Sequence, residues 1–220
     1  MAQQLFPRQA NAIARASIAV GAFLLVAVIT VLVLLDQSDY STRTRLVPPQ
    51  PVPFSHVHHV SGLGIDCRYC HTSVETSSFA GIPPTATCMN CHKQIWSDSP
   101  MLEPVRQSFA TGEPLVWSRI YDLPDYVYFN HSIHVAKGIG CSSCHGRVDR
   151  MPLTFQEQPL FMHWCLDCHR DPGRQIRPRS EIVNMDWQPP DDGGVSARRL
   201  LEDYDVADAR DITNCSTCHR

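Results

Sequence analysis

Five times in this chain two cysteines stand two residues apart with a histidine directly after the second: CRYCH at 67–71, CMNCH at 88–92, CSSCH at 141–145, CLDCH at 165–169 and CSTCH at 215–219. The five copies use all ten cysteines. A gap of two lets both thiols reach one edge of a porphyrin and form thioethers with its two vinyl groups, while the adjacent histidine comes under the iron as proximal ligand. The pattern predicts five covalently bound haem c groups, attached through Cys67 and Cys70, Cys88 and Cys91, Cys141 and Cys144, Cys165 and Cys168, and Cys215 and Cys218. His71, His92, His145, His169 and His219 are then the proximal ligands. Zinc sites also use CxxC, but they join couples in twos to complete a tetrahedron, and five couples would leave one unmatched and every trailing histidine unexplained. A thiol-redox CxxC needs a strand-to-helix context that this sequence lacks, and a disulfide scaffold gives no reason for the constant spacing.

Two stretches read almost alike: FSHVHHVSGLGIDCRYCH at 54–71 and FNHSIHVAKGIGCSSCH at 129–145. Aligned, they match Phe54 with Phe129, His56 with His131, His59 with His134 and Cys67 with Cys141. A further CxxCH follows each, 21 residues on at Cys88 and 24 on at Cys165, so the chain holds two two-haem modules in tandem with a fifth site appended at Cys215. A histidine about ten residues before a CxxCH can fold back over the far face of its own haem through the glycine-containing bend, which is the role expected of His56 and His131. The second histidine, three residues on, points away from the first on a helical segment and should reach a neighbouring iron; this assigns His59 and His134. His58 has no counterpart in the second module. One iron still needs a distal ligand, for which Met151, Met162 and His163 are the leading candidates, with Met101 and Met185 behind them; a thioether there would raise that centre's potential.

These residues need something to hold them, and the rest of the chain is poorly equipped to form a conventional core. It has 17 prolines and eight phenylalanines, and outside residues 16–35 few long apolar runs of either period. The expected fold is a multihaem cytochrome c organised by its haems, mostly coil with short α-helices around each CxxCH, plus one N-terminal transmembrane helix. The formal charge of −3 argues against a nucleic-acid partner. Of the 19 basic residues only Lys93 and Lys137 are lysines; arginine's planar fork suits the pairing of buried ligand carboxylates, although a compositional bias would give the same count.

Ala16 to Leu35 are twenty residues without a charge, about 30 Å as a helix, which matches the hydrocarbon thickness of a bilayer. The run is longer than the apolar region of a cleaved signal peptide, and no small-x-small site follows it. Arg8 and Arg15 precede it while Asp36 and Asp39 follow, so residues 1–15 are expected in the cytoplasm and the haem domain on the periplasmic face of a bacterial inner membrane, held by a single pass. Residues 36–53, with the proline-rich LVPPQPVPF starting at 46, read as a semi-rigid spacer, and 54–220 as the pentahaem domain, with modules at 54–92 and 129–169 and the fifth site at 215–219.

The run FSHVHHVSGLGIDCRYCHTSVETSSFAGIPPTATCMNCHKQIW and the phrases LPDYVYFNHSIHVAKGIGCSSCHGRVDRMPL and WCLDCHRDP resemble the pentahaem, membrane-anchored cytochrome c subunit of bacterial alternative complex III, closely over residues 54–172. The resemblance implies an electron-transfer subunit that is not an enzyme by itself. It would carry electrons from quinol oxidation in respiration or photosynthesis to a periplasmic cytochrome c or copper protein. It also implies polytopic quinol-oxidising membrane subunits and an iron–sulfur subunit as partners, a monohaem cytochrome or soluble acceptor, and mostly bis-histidine ligation with methionine at one haem. An alternative is a membrane-anchored multihaem quinol dehydrogenase serving periplasmic reductases, although such proteins attach a haem almost directly after the helix, whereas here about thirty residues intervene. A multihaem nitrite reductase needs an open iron position, often marked by lysine in place of the motif histidine, and all five motifs here end in histidine.

Overall fold

The computed structural model describes residues 6–219 and divides into two units, one running to Arg43 and the other starting at Thr44. The first five residues of the expected cytoplasmic stretch and Arg220 lie outside the described residues. The first unit is built on α1 (Ala10–Asp36), 27 residues with a mean hydropathy of 3.1 over its most apolar window, long and apolar enough to cross a membrane. It exceeds the expected 16–35 span because Ala10 to Arg15 contain nothing that breaks a helix. A single turn, α2 (Asp39–Thr42), follows and ends at Arg43 in the left-handed region, with φ 59°.

The second unit is short helices joined by coil. In order these are a π-helical turn at Val57–Gly62, then α3 (Cys67–Cys70), α4 (Thr85–His92), α5 (Glu103–Thr111), α6 (His131–Ala136), α7 (Cys141–His145), α8 (Met162–Arg170), α9 (Val195–Asp203), α10 (Ala209–Ile212) and α11 (Cys215–Cys218). No strand forms among the described residues; Thr44 with Gln156, Val127 with His219 and Ile139 with Ile176 make isolated bridges. The buried apolar set is small, consisting of Val52, Leu102, Val105, Met151, Ile176, Ile182 and Met185. Val52, Leu102 and Val105 form a cluster against which Cys88, Met89, Leu115 and Trp117 pack, so this cluster abuts the second CxxCH.

The proline-rich stretch, expected as a semi-rigid spacer, rests against the domain. Thr44 and Val52 are buried, the Gln50 amide exchanges hydrogen bonds with Ser118 in both directions at 2.9 Å, and Ser118 Oγ donates to the Pro49 carbonyl at 2.7 Å. The prolines fix an extended backbone whose carbonyls are free to accept, and the domain uses it as a strap. By its contacts the unit therefore begins at Thr44, ten residues before the boundary read from composition.

The bends that carry each repeat into its CxxCH turn on equivalent glycines. Gly64 and Gly138 both lie in the left-handed region, with φ 67° and 76°, and the next residue of each, Ile65 or Ile139, donates its backbone N–H to the carbonyl of His59 or His134 at 3.0 Å. Their surroundings differ. A Cβ on Gly64 would meet nothing within 4 Å, whereas one on Gly138 would lie 2.6 Å from the Arg177 carbonyl oxygen and 2.7 Å from the Tyr204 ring. Gly64→Ala should therefore cost only the left-handed penalty, about 1–2 kcal/mol, and Gly138→Ala that penalty plus about 1–3 kcal/mol of overpacking. Denaturant unfolding of the two variants checks this, and equal losses would contradict it.

Candidate haem sites

Each CxxCH lies on helical backbone, and the spacing works because residues i and i+3 share a helix face. At the first and fifth motifs a polar side chain sets the start of the helix, Asp66 accepting from Arg68 N–H and Asn214 from Ser216 N–H, whereas α7 of the third motif starts at Gly140 without a side-chain cap. His71 and His219 close their turns by donating N–H to the carbonyls of Cys67 and Cys215, both at 2.9 Å. All ten thiols are free, and Cys91 and Cys215 are exposed while the other eight are half-buried. Among the described residues no three His, Cys, Asp or Glu side chains converge as a metal cluster would require.

Histidine orientation is controlled from the Nδ1 side. His71 donates from Nδ1 to the Gly81 carbonyl at 2.7 Å, His92 to Ile95 at 3.0 Å, His169 to Ile212 at 2.7 Å and His219 to Tyr126 at 3.0 Å. Among the histidines outside the motifs, His59 donates to Ser55 at 2.8 Å, His131 to Ser78 at 2.9 Å and His134 to Asn130 at 2.7 Å, while His56 Nδ1 pairs with Thr154 Oγ1 at 3.0 Å. A carbonyl only accepts, so seven of these bonds place the proton on Nδ1 and leave Nε2 as a free lone pair, the arrangement by which histidine ligands are oriented for a metal. His145 is held differently, by the edge of Tyr121 at 4.5 Å.

Three imidazole pairs face each other at a common separation. Ring centres lie 6.1 Å apart for His59 and His92, 6.3 Å for His131 and His145, and 6.1 Å for His134 and His169. Two imidazoles trans on one metal, with metal–nitrogen bonds of about 2.0–2.1 Å and about 1.1 Å from nitrogen to ring centre, have centres about 6.3 Å apart. His131 thus faces the histidine of the motif that follows it, and His59 and His134 face those of the next motif along. No ring separation of this kind accompanies His56, but its pKa is lowered to about 4 by burial first and then by His71 and His59. Burial, followed by His131, His71 and His56, likewise lowers His145 to about 4, so both imidazoles stay neutral, as ligation requires.

The structure supplies a role for the phenylalanine that opens each repeat, which spacing alone did not. Phe54 meets His56 edge-on at 4.9 Å and 88° and stacks on His59 at 4.5 Å and 24°. Phe129 repeats this with His131 at 4.7 Å and 90° and with His134 at 4.5 Å and 28°. One wedge fixes two imidazole planes, and it does so although His59 lies on a π-helical turn and His134 on an α-helix.

The remaining candidates are scattered. Met151 is buried, and its carbonyl accepts from Val57 N–H at 3.3 Å beside the first repeat. Met162 is exposed at the start of α8, next to His163, whose ring stacks on Phe161 at 5.5 Å. His219 has Tyr126 at 5.7 Å and no facing imidazole. His58 is exposed.

The thiol couples follow one another across motif boundaries. Burial and then Cys88 raise the Cys70 thiol; Cys67 and Cys141 hydrogen-bond to each other, which draws the first down and pushes the second up. Burial and then Cys168 and Cys165 push Cys144 up to about 12, and burial and then Cys218 raise Cys165.

A family model described as cytochrome c7 and related cytochrome c matches residues 127–220, which takes in the second FxHxxH and the last three motifs. The chain is also similar to the menaquinone reductase multiheme cytochrome c subunit of Nitratidesulfovibrio vulgaris, at 36% identity over 123 residues, 56% of this chain and 52% of that protein. The match spans about half the length of that relative. The fold is cytochrome c7-like and multihaem, helix and coil with no strand among the described residues, together with the apolar N-terminal helix.

Proposed function

We propose that this chain is an electron-transfer subunit carrying five haem c groups, anchored by α1 in a bacterial inner membrane with Thr44 onward on the periplasmic face, within a quinol-oxidising complex of the alternative complex III type. The covalently held irons supply reversible one-electron exchange. The chain's own residues hold them by the five thiol couples and ligate them in the pairs His56 with His71, His59 with His92, His131 with His145 and His134 with His169. His219 is completed by Met151, Met162 or His163. The observation that carries this reading is the set of three imidazole pairs at 6.1–6.3 Å, five of whose six rings are tethered through Nδ1 to a backbone carbonyl. With a distal ligand from these residues on every iron there would be no open position for substrate, which would suit relay and not catalysis.

Partners follow from the same reading: an iron–sulfur subunit and polytopic membrane subunits on the input side, and a monohaem cytochrome c, copper protein or other soluble acceptor on the output side. Gentle solubilisation followed by mass analysis of copurifying chains tests it, and recovery with an iron–sulfur protein and polytopic membrane proteins is the expected result. A second reading has support in the similarity to a menaquinone reductase subunit: a membrane-anchored multihaem quinol dehydrogenase that feeds periplasmic reductases. Under that reading the chain purified alone oxidises quinol at an appreciable rate; under the first it does not.

A further inference from the structure

Arg177 is the buried cation of this domain, 4% exposed, and it has no carboxylate within ion-pair distance among the described residues. Its guanidinium lies across the third CxxCH. Nη1 donates to Ser142 Oγ at 3.2 Å and to the Asn184 carbonyl at 3.2 Å, Nη2 donates to Ser143 Oγ at 3.2 Å, and Cζ sits 4.5 Å from the centre of the Trp187 ring. Nε is buried without a partner. Gly140 makes the seat, since a Cβ there would overlap the guanidinium. The acidic group that influences it, Glu181, instead accepts from the Asn184 amide at 2.6 Å. Every partner of this charge is neutral. That is unusual, because a buried charge is costly unless paired, and other arginines near CxxCH motifs are matched, Arg68 by Asp66 and Glu75, Arg147 by Asp149 and Asp186, and Arg170 by Asp167.

We propose that Arg177 is a tuning residue, a fixed and unbalanced positive charge at the thioether edge of the third site that raises the reduction potential of the group attached at Cys141 and Cys144. This rests on the haem reading above. Reduction removes one positive charge from the iron, so a nearby cation favours the reduced form, and a buried cation acts with little screening by solvent or salt. The propionates of that same group cannot cancel it, because they leave the porphyrin on the edge opposite the vinyl groups, while the guanidinium is clamped to the two residues between the thioether cysteines. A third site more readily reduced than its neighbours would collect electrons arriving from the first module.

The test uses the full-length, haem-loaded protein and a spectroelectrochemical titration of its centres. Ser143→Asp keeps Arg177 and its packing but supplies the missing carboxylate; the fourth motif already carries Asp167 at the equivalent position. One of the five centres should become about tenfold harder to reduce, equivalent to about 59 mV for a one-electron couple. Ser143→Asn should move none. Arg177→Gln should lower the same centre and Arg177→Lys should largely restore it. If Ser143→Asp and Ser143→Asn behave alike in protein whose mass shows full haem content, the inference is overturned, and the Ser143 pair decides the matter even where Arg177→Gln fails to mature. Wild-type polypeptide without added haem mass would instead remove the reading on which the inference rests.

Discussion

Replacing Cys141 and Cys144 together by alanine leaves the domain from Thr44 onward unfolded, so that the protein fails to accumulate and any polypeptide recovered is rapidly cleaved by protease. The reason is the core. Seven apolar side chains are buried among the described residues, far fewer than a domain of this length needs to offset the entropy of ordering its backbone. The third couple also occupies a junction. Cys141 contacts Cys67 of the first module, and its backbone N–H donates to the Ile182 carbonyl at 3.0 Å. His145 faces His131, which is in turn tethered to Ser78 of the first module. Without the attached group these elements face an apolar void, and folding should fail as it does for small domains deprived of a structural metal. Leu102→Ala, by contrast, removes a buried side chain from a cluster of three and should cost about 2–5 kcal/mol while leaving a foldable protein. Yield, protease resistance and intact mass of the two variants separate these outcomes. A double-cysteine variant as abundant and resistant as wild type would show that ordinary packing holds the domain together.

Much of the site was legible because covalent haem chemistry forces residue types and spacings together. Nothing else requires Cys-x-x-Cys-His, so ten thiols and five histidines could be named at once. The repeat was legible for the same reason, and the structure carries it into details of ring stacking and carbonyl tethers that the aligned letters only suggest. The tethers themselves could not be read from sequence. His71, His169 and His219 lean on Gly81, Ile212 and Tyr126, residues whose side chains are irrelevant because the acceptor is a backbone carbonyl that every residue has. The contacts of the strap formed by Thr44 to Val52 could not be read in advance, because proline content reports local stiffness and says nothing of what the stiff segment rests on. Arg177 was hidden in a general arginine excess. Only the fold shows that its partners are two serines, a carbonyl and a tryptophan face, with no carboxylate, and only the missing Cβ of Gly140 makes room for it.

The two histidines of each FxHxxH are proposed for different irons, and this yields the most discriminating experiment on the ligand set. His134→Ala should leave the iron held by His169 without its distal imidazole, turning one of five low-spin centres high-spin, with the other four unchanged in spectrum. Added free imidazole should restore the low-spin signal, because the truncated side chain leaves a space of that shape between α6 and the fourth motif. The rings of His134 and His169 are 6.1 Å apart, and burial first, then the approach of His169, lowers the His134 pKa although the Asn130 carbonyl on its Nδ1 works in the other direction. His131→Ala should do the same to the third site, and His59→Ala to the second. His58→Ala should do nothing, since that ring is exposed and stands outside every pair. Phe129→Ala supplies the finer control: it keeps both imidazoles but removes the surface that holds their planes, so the signals of the third and fourth sites should broaden together while the first and second stay sharp. Paramagnetic resonance on the four histidine variants and Phe129→Ala reads all of this in one series. If His134→Ala left five low-spin centres, its facing partner across the iron would have to be something other than His169, and the pairing of second-module irons through one FxHxxH segment would fall.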